Sequence, residues 1–318
     1  MRLYLAPIRG VTDYIYRDSF AKFFGGFDCA LAPFVSSVKG RKIKPAFLRD
    51  LLPENNKRLK IIPQILSKNS DEFIFTAKQI LDLGYDEINW NLGCPAPMVA
   101  KKQRGSGLLP HVAEIERILG KITVEFPGMI SVKTRLGYLS PDEIIKLMPL
   151  FNQFPLKKII IHPRLGVQMY KGTPNIDVFE SCIAATKHPV VYNGDIVDLQ
   201  TYKSLQIRFP DIGDWMVGRG ALRNPYLGLG IKEQEYTVSR EKLLAFHDEL
   251  MRRYVERLEG PAHLLGRMKG VWCYFAGIFI NDNKVLKRIS KAWTLEKYKD
   301  AVQKNFEQEE LVFLGYTA

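Results

Sequence analysis

Short apolar runs recur along the chain, and amphipathic stretches separate them. The runs are LYLAPI (3–8), DCALAPFV (28–35), IIPQIL (61–66), EINWNLG (87–93), ISVKTRLG (130–137), KIIIHPR (158–164), PVVYNGDI (189–196) and DWMVGRGA (214–221). Each is short, rich in β-branched or aromatic residues, and bounded by Gly, Pro or Asn, which predicts a strand. Between them, 71–84, 111–126 and 141–154 carry apolar residues at helical spacing. Pro141 falls in the first turn of the last of these, where its missing N–H costs nothing. Strand and helix alternating through eight units predict an α/β fold, a (β/α)8 TIM barrel. An open doubly wound sheet is the alternative, and eight units favour closure.

After Asn224-Pro225 the strand signal stops. In EKLLAFHDELMRRYVERL, Leu243, Leu250, Tyr254 and Leu258 share one face, and charged residues fill the other. The segment 264–280 is nearly apolar and short enough for a buried helix, and 281–291 opens on Asn and Asp as helix caps. The pattern predicts a barrel over 1–235 and a small all-helical domain over 236–318.

A second pattern lies at the strand ends. Pro7, Gln64, Asn91, Lys133, Arg135, His162, Asn193, Gly194, Gly218 and Arg219 all sit at or just past the C-terminal ends of the runs. In a barrel these ends converge on one face, where active sites form. Strand termini attract turn-formers anyway, which accounts for the glycines and prolines. It does not account for Gln64, Lys133 and His162, which lie in or beside apolar runs and need partners there.

The densest chemistry is in 87–107, EINWNLGCPAPMVAKKQRGSG. A strand breaks at Gly93, and Cys94 follows, pinned by Pro95 and Pro97. Lys101, Lys102 and Arg104 come next, then Gly105 and Gly107, read as a flexible hinge. A thiol on a rigid turn beside cations is a candidate reactive group. The four cysteines, Cys29, Cys94, Cys182 and Cys273, are far apart and show no ligand spacing, which speaks against disulfides and a metal site.

Charge adds a partner class. The net charge is +12 in 318 residues. The cations bunch at 39–44, at 57–60, in the cysteine loop, and at Lys284, Lys287, Arg288 and Lys291. Any one group suits a solvated face; together, beside the thiol and on both parts of the chain, they suggest a track for a polyanion backbone. No run of about 18 uncharged apolar residues exists, so a membrane span is not expected. The N-terminus lacks a signal-peptide pattern, and a cytoplasmic protein is expected.

There is no P-loop and no Gly-x-Gly-x-x-Gly after a strand. The loops after the seventh and eighth runs, Asn193-Gly194-Asp195 and Gly218-Arg219-Gly220, are where barrels hold phosphate. Small residues admit backbone N–H groups to an anion, and Arg219 adds a bidentate contact. Asp195 is awkward there, and its carboxylate is expected to turn away, toward a sugar-like hydroxyl. The pattern suits a mononucleotide such as FMN. Lys133 would stabilise negative charge on a reduced flavin, Gln64 can donate and accept at the ring edge, and His162 would contact cofactor or substrate. Phosphate binding without redox chemistry remains open on these residues alone.

Four segments carry a resemblance: LAPIRGVTD (5–13), NLGCPAP (91–97) with GSG (105–107), VKTRLG (132–137), and NGDI (193–196) with VGRGALRNP (217–225). In these the chain resembles the tRNA-dihydrouridine synthases, along nearly its whole length. The resemblance implies an FMN-bearing barrel with a helical C-terminal domain, reducing a carbon–carbon double bond of uridines in tRNA with NADPH. FMN contacts carry over to Ala6, Pro7, Ile8, Gln64, Lys133, His162, Asn193, Gly194, Asp195, Gly218 and Arg219. Cys94 matches the family's catalytic acid, and Arg135 a position near the substrate base. Asn91, Lys101, Lys102, Arg104, Lys284, Lys287 and Arg288 complete the expected substrate contacts, with no metal and a monomeric protein.

Ile8 stands where the family mostly has Met, Pro163 follows His162 where Gly is usual, and 105–107 is one small residue short of the common run. The length and short N-terminus resemble the subgroup acting on uridine 16 of the D-loop. The required chemistry fits a thiol. Uracil is electron-poor at C6, hydride arrives there, and C5 needs a proton from the opposite side. An ordinary thiol, titrating near 8.5, is protonated at neutral pH and can donate it. Two other readings fit the same barrel: a small-molecule ene or dihydroorotate-type FMN reductase, and a non-catalytic RNA-binding protein.

Overall fold

Residues 1–37, 43, 45–233 and 236–312 are described by the computed structural model. The strands are β1 (Arg2–Leu5), β2 (Cys29–Leu31), β3 (Val35–Ser36), β4 (Lys60–Ile62), β5 (Gln64–Leu66), β6 (Ile88–Leu92), β7 (Ile130–Gly137), β8 (Ile159–Leu165), β9 (Val190–Tyr192) and β10 (Asp214–Val217). Every pairing among them is parallel, in the order β3-β5-β6-β7-β8-β9-β10-β1-β2-β4. The ten strands fill eight positions. β2 and β3 are one run interrupted by Ala32-Pro33-Phe34, and β4 and β5 are one run interrupted by Pro63. The circuit closes where β2 pairs with β4 and β3 with β5.

Closure explains the burial. β6 is buried at all of its residues, as a parallel strand covered by helices outside and core inside must be. Helices return the chain between strands, among them Tyr14–Phe23, Ser70–Leu81, Val112–Glu125, Asp142–Phe151, Ile176–Ala185 and Leu199–Arg208. Asp13, Asn69, Asn175 and Asp198 cap four of them by accepting a backbone N–H of the first turn. Pro141 is the N-cap of its helix rather than a first-turn residue.

Beyond β10 the described chain is helical apart from one antiparallel bridge, Phe279 to Leu311. The long helices there are Arg240–Arg257, Pro261–Phe275, Asp282–Ser290 and Leu295–Gln308. The apolar 264–280 stretch is not one helix, because the chain tightens to a 3₁₀ turn at Ala276–Ile278. Asn281 holds the N-cap position of the next helix, but its side chain reaches Glu309 instead of capping.

This helical region is bolted to the first barrel helix. Phe246 packs on Phe24 with ring centroids 5.0 Å apart. Arg253 reaches Asp18 at 2.8 Å, and the Tyr254 hydroxyl donates to Asp13 at 2.8 Å. Of the expected basic groups, Lys39, Arg41, Lys42 and Lys44 lie outside the described residues. No described helix is long and apolar enough to cross a membrane.

Candidate active site

A cavity of about 310 Å³ opens at the C-terminal ends of the strands. Ala6, Pro7 and Ile8 enter it after β1, Gln64 from β5, Asn91 from β6, and Cys94 from the turn that follows. Lys133 and Arg135 come from β7, His162 from β8, Asn193, Gly194 and Asp195 from beyond β9, and Gly218 and Arg219 from beyond β10. All the expected cofactor positions, with Asn91, Cys94 and Arg135, therefore border one space.

The remaining expected contacts do not. Lys101 and Lys102 are exposed on the outside of the cysteine loop. Arg104 turns into a neighbouring cleft, with a guanidinium nitrogen 4.0 Å from Glu72. Lys284 and Arg288 pair with Glu309 at 2.9 and 3.2 Å. Lys287 has no ion-pair partner among the described residues and is exposed.

The Cys94 turn is built from its neighbours. Asn91 Oδ1 accepts the backbone N–H of Gly93 at 3.1 Å and of Cys94 at 2.9 Å. Arg135 Nε donates to the Gly93 carbonyl at 3.0 Å, and the Ser106 N–H and hydroxyl reach the Cys94 carbonyl. Gly105 and Gly107 are not a hinge. A Cβ at Gly105, φ +56°, would fall 2.6 Å from the Cys94 carbonyl oxygen, and one at Gly107 2.3 Å from that of Ala100. These glycines are buried and let two backbones touch, which fixes the thiol's seat.

Asn91 also ends a polar chain that runs through the barrel. Its Nδ2 donates to Gln64 Oε1 at 2.7 Å, and Gln64 Nε2 donates to Asn89 Oδ1 at 2.7 Å. Asn89 Nδ2 donates to Ser131 Oγ at 3.0 Å, and that hydroxyl donates to Glu87 at 2.7 Å. Lys158 completes the chain on Glu87 at 3.0 Å. Backbone N–H groups can only donate and a carboxylate only accepts, so the two ends fix every amide orientation between them. Gln64 is thus left with one unspent N–H, and its carbonyl is engaged.

The cavity wall is cationic. Lys133 is pushed down to about 7 by burial and then by the Arg135 guanidinium. Burial also lowers Arg135, to about 10. His162 is driven well below its ordinary value by burial and by Arg135 and Lys133, so its ring is neutral. Arg164 Nη1 lies 3.3 Å from His162 Nε2. A guanidinium only donates, so Nε2 accepts and the ring proton sits on Nδ1.

Asp195, whose carboxylate was expected to turn away from a phosphate, is held by two guanidiniums. Arg164 Nη1 donates to it at 2.9 Å and Arg219 Nη2 at 2.6 Å. Burial opposes its charge, but the two guanidiniums hold its carboxyl below the usual range.

Tyr170, Arg223 and Tyr274 also line the cavity and Arg164 holds His162 and Asp195 from behind; none was among the expected site residues. Tyr170 stands under two cations, 4.6 Å from Arg219 and 5.4 Å from Arg135. It comes from the 166–175 loop, which has no periodicity to mark it. Tyr274 reaches the cavity from the Pro261–Phe275 helix, so the helical region supplies part of the wall. Only the His-Pro-Arg spelling after the sixth run could have flagged Arg164.

A closed parallel barrel with a cationic, half-open cavity at its strand ends and a thiol on one wall defines a barrel enzyme for an anionic ligand. More particularly, the chain belongs to the dihydrouridine synthase family, whose model matches residues 4–312. It is similar to the tRNA-dihydrouridine(16) synthase of Pseudomonas putida, 28% identical over 282 residues, covering 85% of this chain and 86% of that one. The tRNA-dihydrouridine(16) synthase of Neisseria meningitidis is 27% identical, covering 74% of this chain and 72% of that one. A probable tRNA-dihydrouridine synthase of Staphylococcus aureus is 30% identical, covering 79% and 77%. Among solved structures, the old yellow enzyme homologue of Zymomonas mobilis shares the fold at TM-score 0.56 and 11% identity, covering 76% of this chain and 91% of that one. Morphinone reductase does so at 0.54 and 9%, covering 75% and 87%.

Proposed function

We propose that this enzyme binds FMN in the cavity and reduces the C5–C6 double bond of a uridine in tRNA, with NADPH as electron source and Cys94 as proton donor. The observation that carries the reading is the shared cavity: Cys94, Lys133, His162 and Arg219 all border it. The residues suit a flavin mononucleotide. Gln64, fully buried in the cavity wall, keeps one Nε2 N–H unspent, a donor in want of an acceptor. Arg219 and the backbone of 193–195 and 218–220 would hold the phosphate, and Lys133 and the spare N–H of Gln64 would face the ring. When bound, reduced FMN supplies the hydride that adds to uracil C6.

The chain does the rest. The Cys94 S–H bond breaks, its proton goes to C5, and the thiolate left behind regains a proton from solvent. Arg135, 2% exposed and tied to the Gly93 carbonyl, keeps the turn and a positive charge next to the base. Asn91 fixes the thiol's backbone and stands beside the base. The uridine must leave its stack to enter, at a cost of a few kcal/mol that contacts to the RNA backbone offset. Residues 236–318 form the tRNA-binding part, with Lys287 and the exposed Lys101 and Lys102 as backbone contacts. Relatives named for position 16 support that D-loop uridine as the target. The protein is a cytoplasmic monomer in this reading.

The purified protein should be yellow. With NADPH it should form dihydrouridine in a tRNA transcript, and mass spectrometry should find it at position 16. A colourless protein, or a flavoprotein that leaves tRNA unreduced, would refute the proposal.

A further inference from the structure

The chain has four tryptophans, and they divide sharply. Trp90, Trp215 and Trp272 are 0% exposed, whereas Trp293 is 79% exposed. Trp293 sits in the short link between the Asp282–Ser290 and Leu295–Gln308 helices, where it adds nothing to the core. Its ring is nonetheless held. Lys269 Nζ stands 4.3 Å from the ring centroid, and the same ammonium donates to the Ser290 carbonyl at 3.0 Å. One cation thus caps the end of a helix and steadies the indole, leaving the other ring face open.

The surroundings choose the partner. Residues 284–297 hold five cations, Lys284, Lys287, Arg288, Lys291 and Lys297, against one acid, Glu296. Lys284 and Arg288 are spent on Glu309. Lys287, Lys291 and Lys297 are exposed and have no ion pair among the described residues. Ser290, Thr294 and Glu296, its neighbours along the chain, are exposed and polar, so this is not an apolar docking patch. An exposed indole in a segment that carries these three unpaired ammonium groups matches a nucleobase with its phosphates. Lys269 and the cavity-lining Tyr274 share one helix, about 7.5 Å of rise and about 140° of turn apart, so the platform would meet the RNA outside the cavity.

We propose that Trp293, steadied by Lys269, is a stacking platform for an unpaired nucleobase of the RNA substrate, with Lys287 and Lys291 on the flanking phosphates. This rests on the tRNA reading above and adds a second anchoring point to it.

Acrylamide quenching of tryptophan emission in the holoprotein tests it, because one indole of the four is accessible. An unmodified tRNA transcript should lower the quenching slope to that of Trp293→Phe. A fully paired RNA of equal length should leave the slope unchanged. Trp293→Ala should weaken tRNA binding about 5- to 100-fold, and Trp293→Phe, which keeps a ring, less than about threefold. Flavin absorbance and the urea midpoint should match wild type in both variants, which separates lost stacking from lost folding. Wild-type affinity in Trp293→Ala overturns the platform. So does equal protection of Trp293 by polyglutamate or anionic vesicles, which would mark a protein or membrane face. If tRNA shields Trp293 but does not reoxidise the flavin, the platform stands and uridine reduction falls; reoxidation with no shielding gives the reverse.

Discussion

The two ends of the barrel carry similar residue types arranged to opposite effect. At the N-terminal end of the strands the charges are paired off. Lys158 lies 3.0 Å from Glu87, Lys157 3.6 Å from Glu87, Lys60 3.3 Å from Asp86, and Arg2 3.8 Å from Asp214. At the C-terminal end Arg9, Lys133, Arg135, Arg219 and Arg223 line the cavity with one carboxylate, Asp195, which pairs with Arg219 and with Arg164 behind it. Balanced charge stabilises a fold and binds nothing. Unbalanced charge costs stability and waits for an anion. The polar chain from Lys158 to Asn91 joins the two ends, so the paired end also sets the geometry of the working one.

Breaking the paired end should cost stability first. Lys158→Met leaves the buried Glu87 carboxylate with the Ser131 hydroxyl and, as its only remaining cation, the more distant Lys157, and should lower unfolding free energy by about 3–5 kcal/mol in urea titrations. At the mouth, Arg219→Ala should cost little stability, within about 1 kcal/mol. It should instead weaken FMN binding about 10- to 100-fold, as read by fluorescence titration of the apoprotein. Equal losses of stability at both ends would erase the contrast.

Cutting the connection should sit between these. Ser131→Ala removes the acceptor of the Asn89 amide and should cost about 1–3 kcal/mol. It should also shift the flavin absorption bands, while Ser131→Thr restores them. No spectral shift would make the chain a stability element only.

The last effect is a slope rather than a loss, of up to about 1.4 kcal/mol per pH unit. Lys133 titrates near 7 in the folded protein rather than near 10.5. Between those values the unfolded chain carries a proton that the folded one lacks, so apoprotein stability should rise with pH across that window. Lys133→Met should flatten the rise between pH 7 and 9, and an unchanged slope would place the effect elsewhere.

The sequence made the mouth more legible than the base. Strand ends converge on one face in any barrel, so Gln64, Lys133, His162 and Arg219 could be grouped from position alone. Eight apolar runs foretold closure, but not the breaks at Ala32–Phe34 and Pro63, which depend on partner-strand register. Pairings across the fold left no local trace. Asp195 was expected to turn away from a phosphate, and nothing local showed that Arg164, from β8, would hold its carboxylate. The pairing of Lys284 and Arg288 with Glu309 went unseen because that acid lies beyond the next helix. Gly105 and Gly107 spelled a hinge because a glycine required for close approach looks the same in one dimension as a flexible one. Tyr170 and Tyr274 reach the cavity from a loop and a distant helix, where no strand pattern points.

The central claim is that the thiol of Cys94 delivers a proton across the cavity to a base reduced by flavin. The direct measurement is single-turnover reoxidation of the reduced flavin by tRNA lacking dihydrouridine, in wild type and in Cys94→Ala. The account predicts that the variant keeps its FMN and reoxidises on the order of 10²–10⁴-fold more slowly. Equal rates in the two proteins would contradict it.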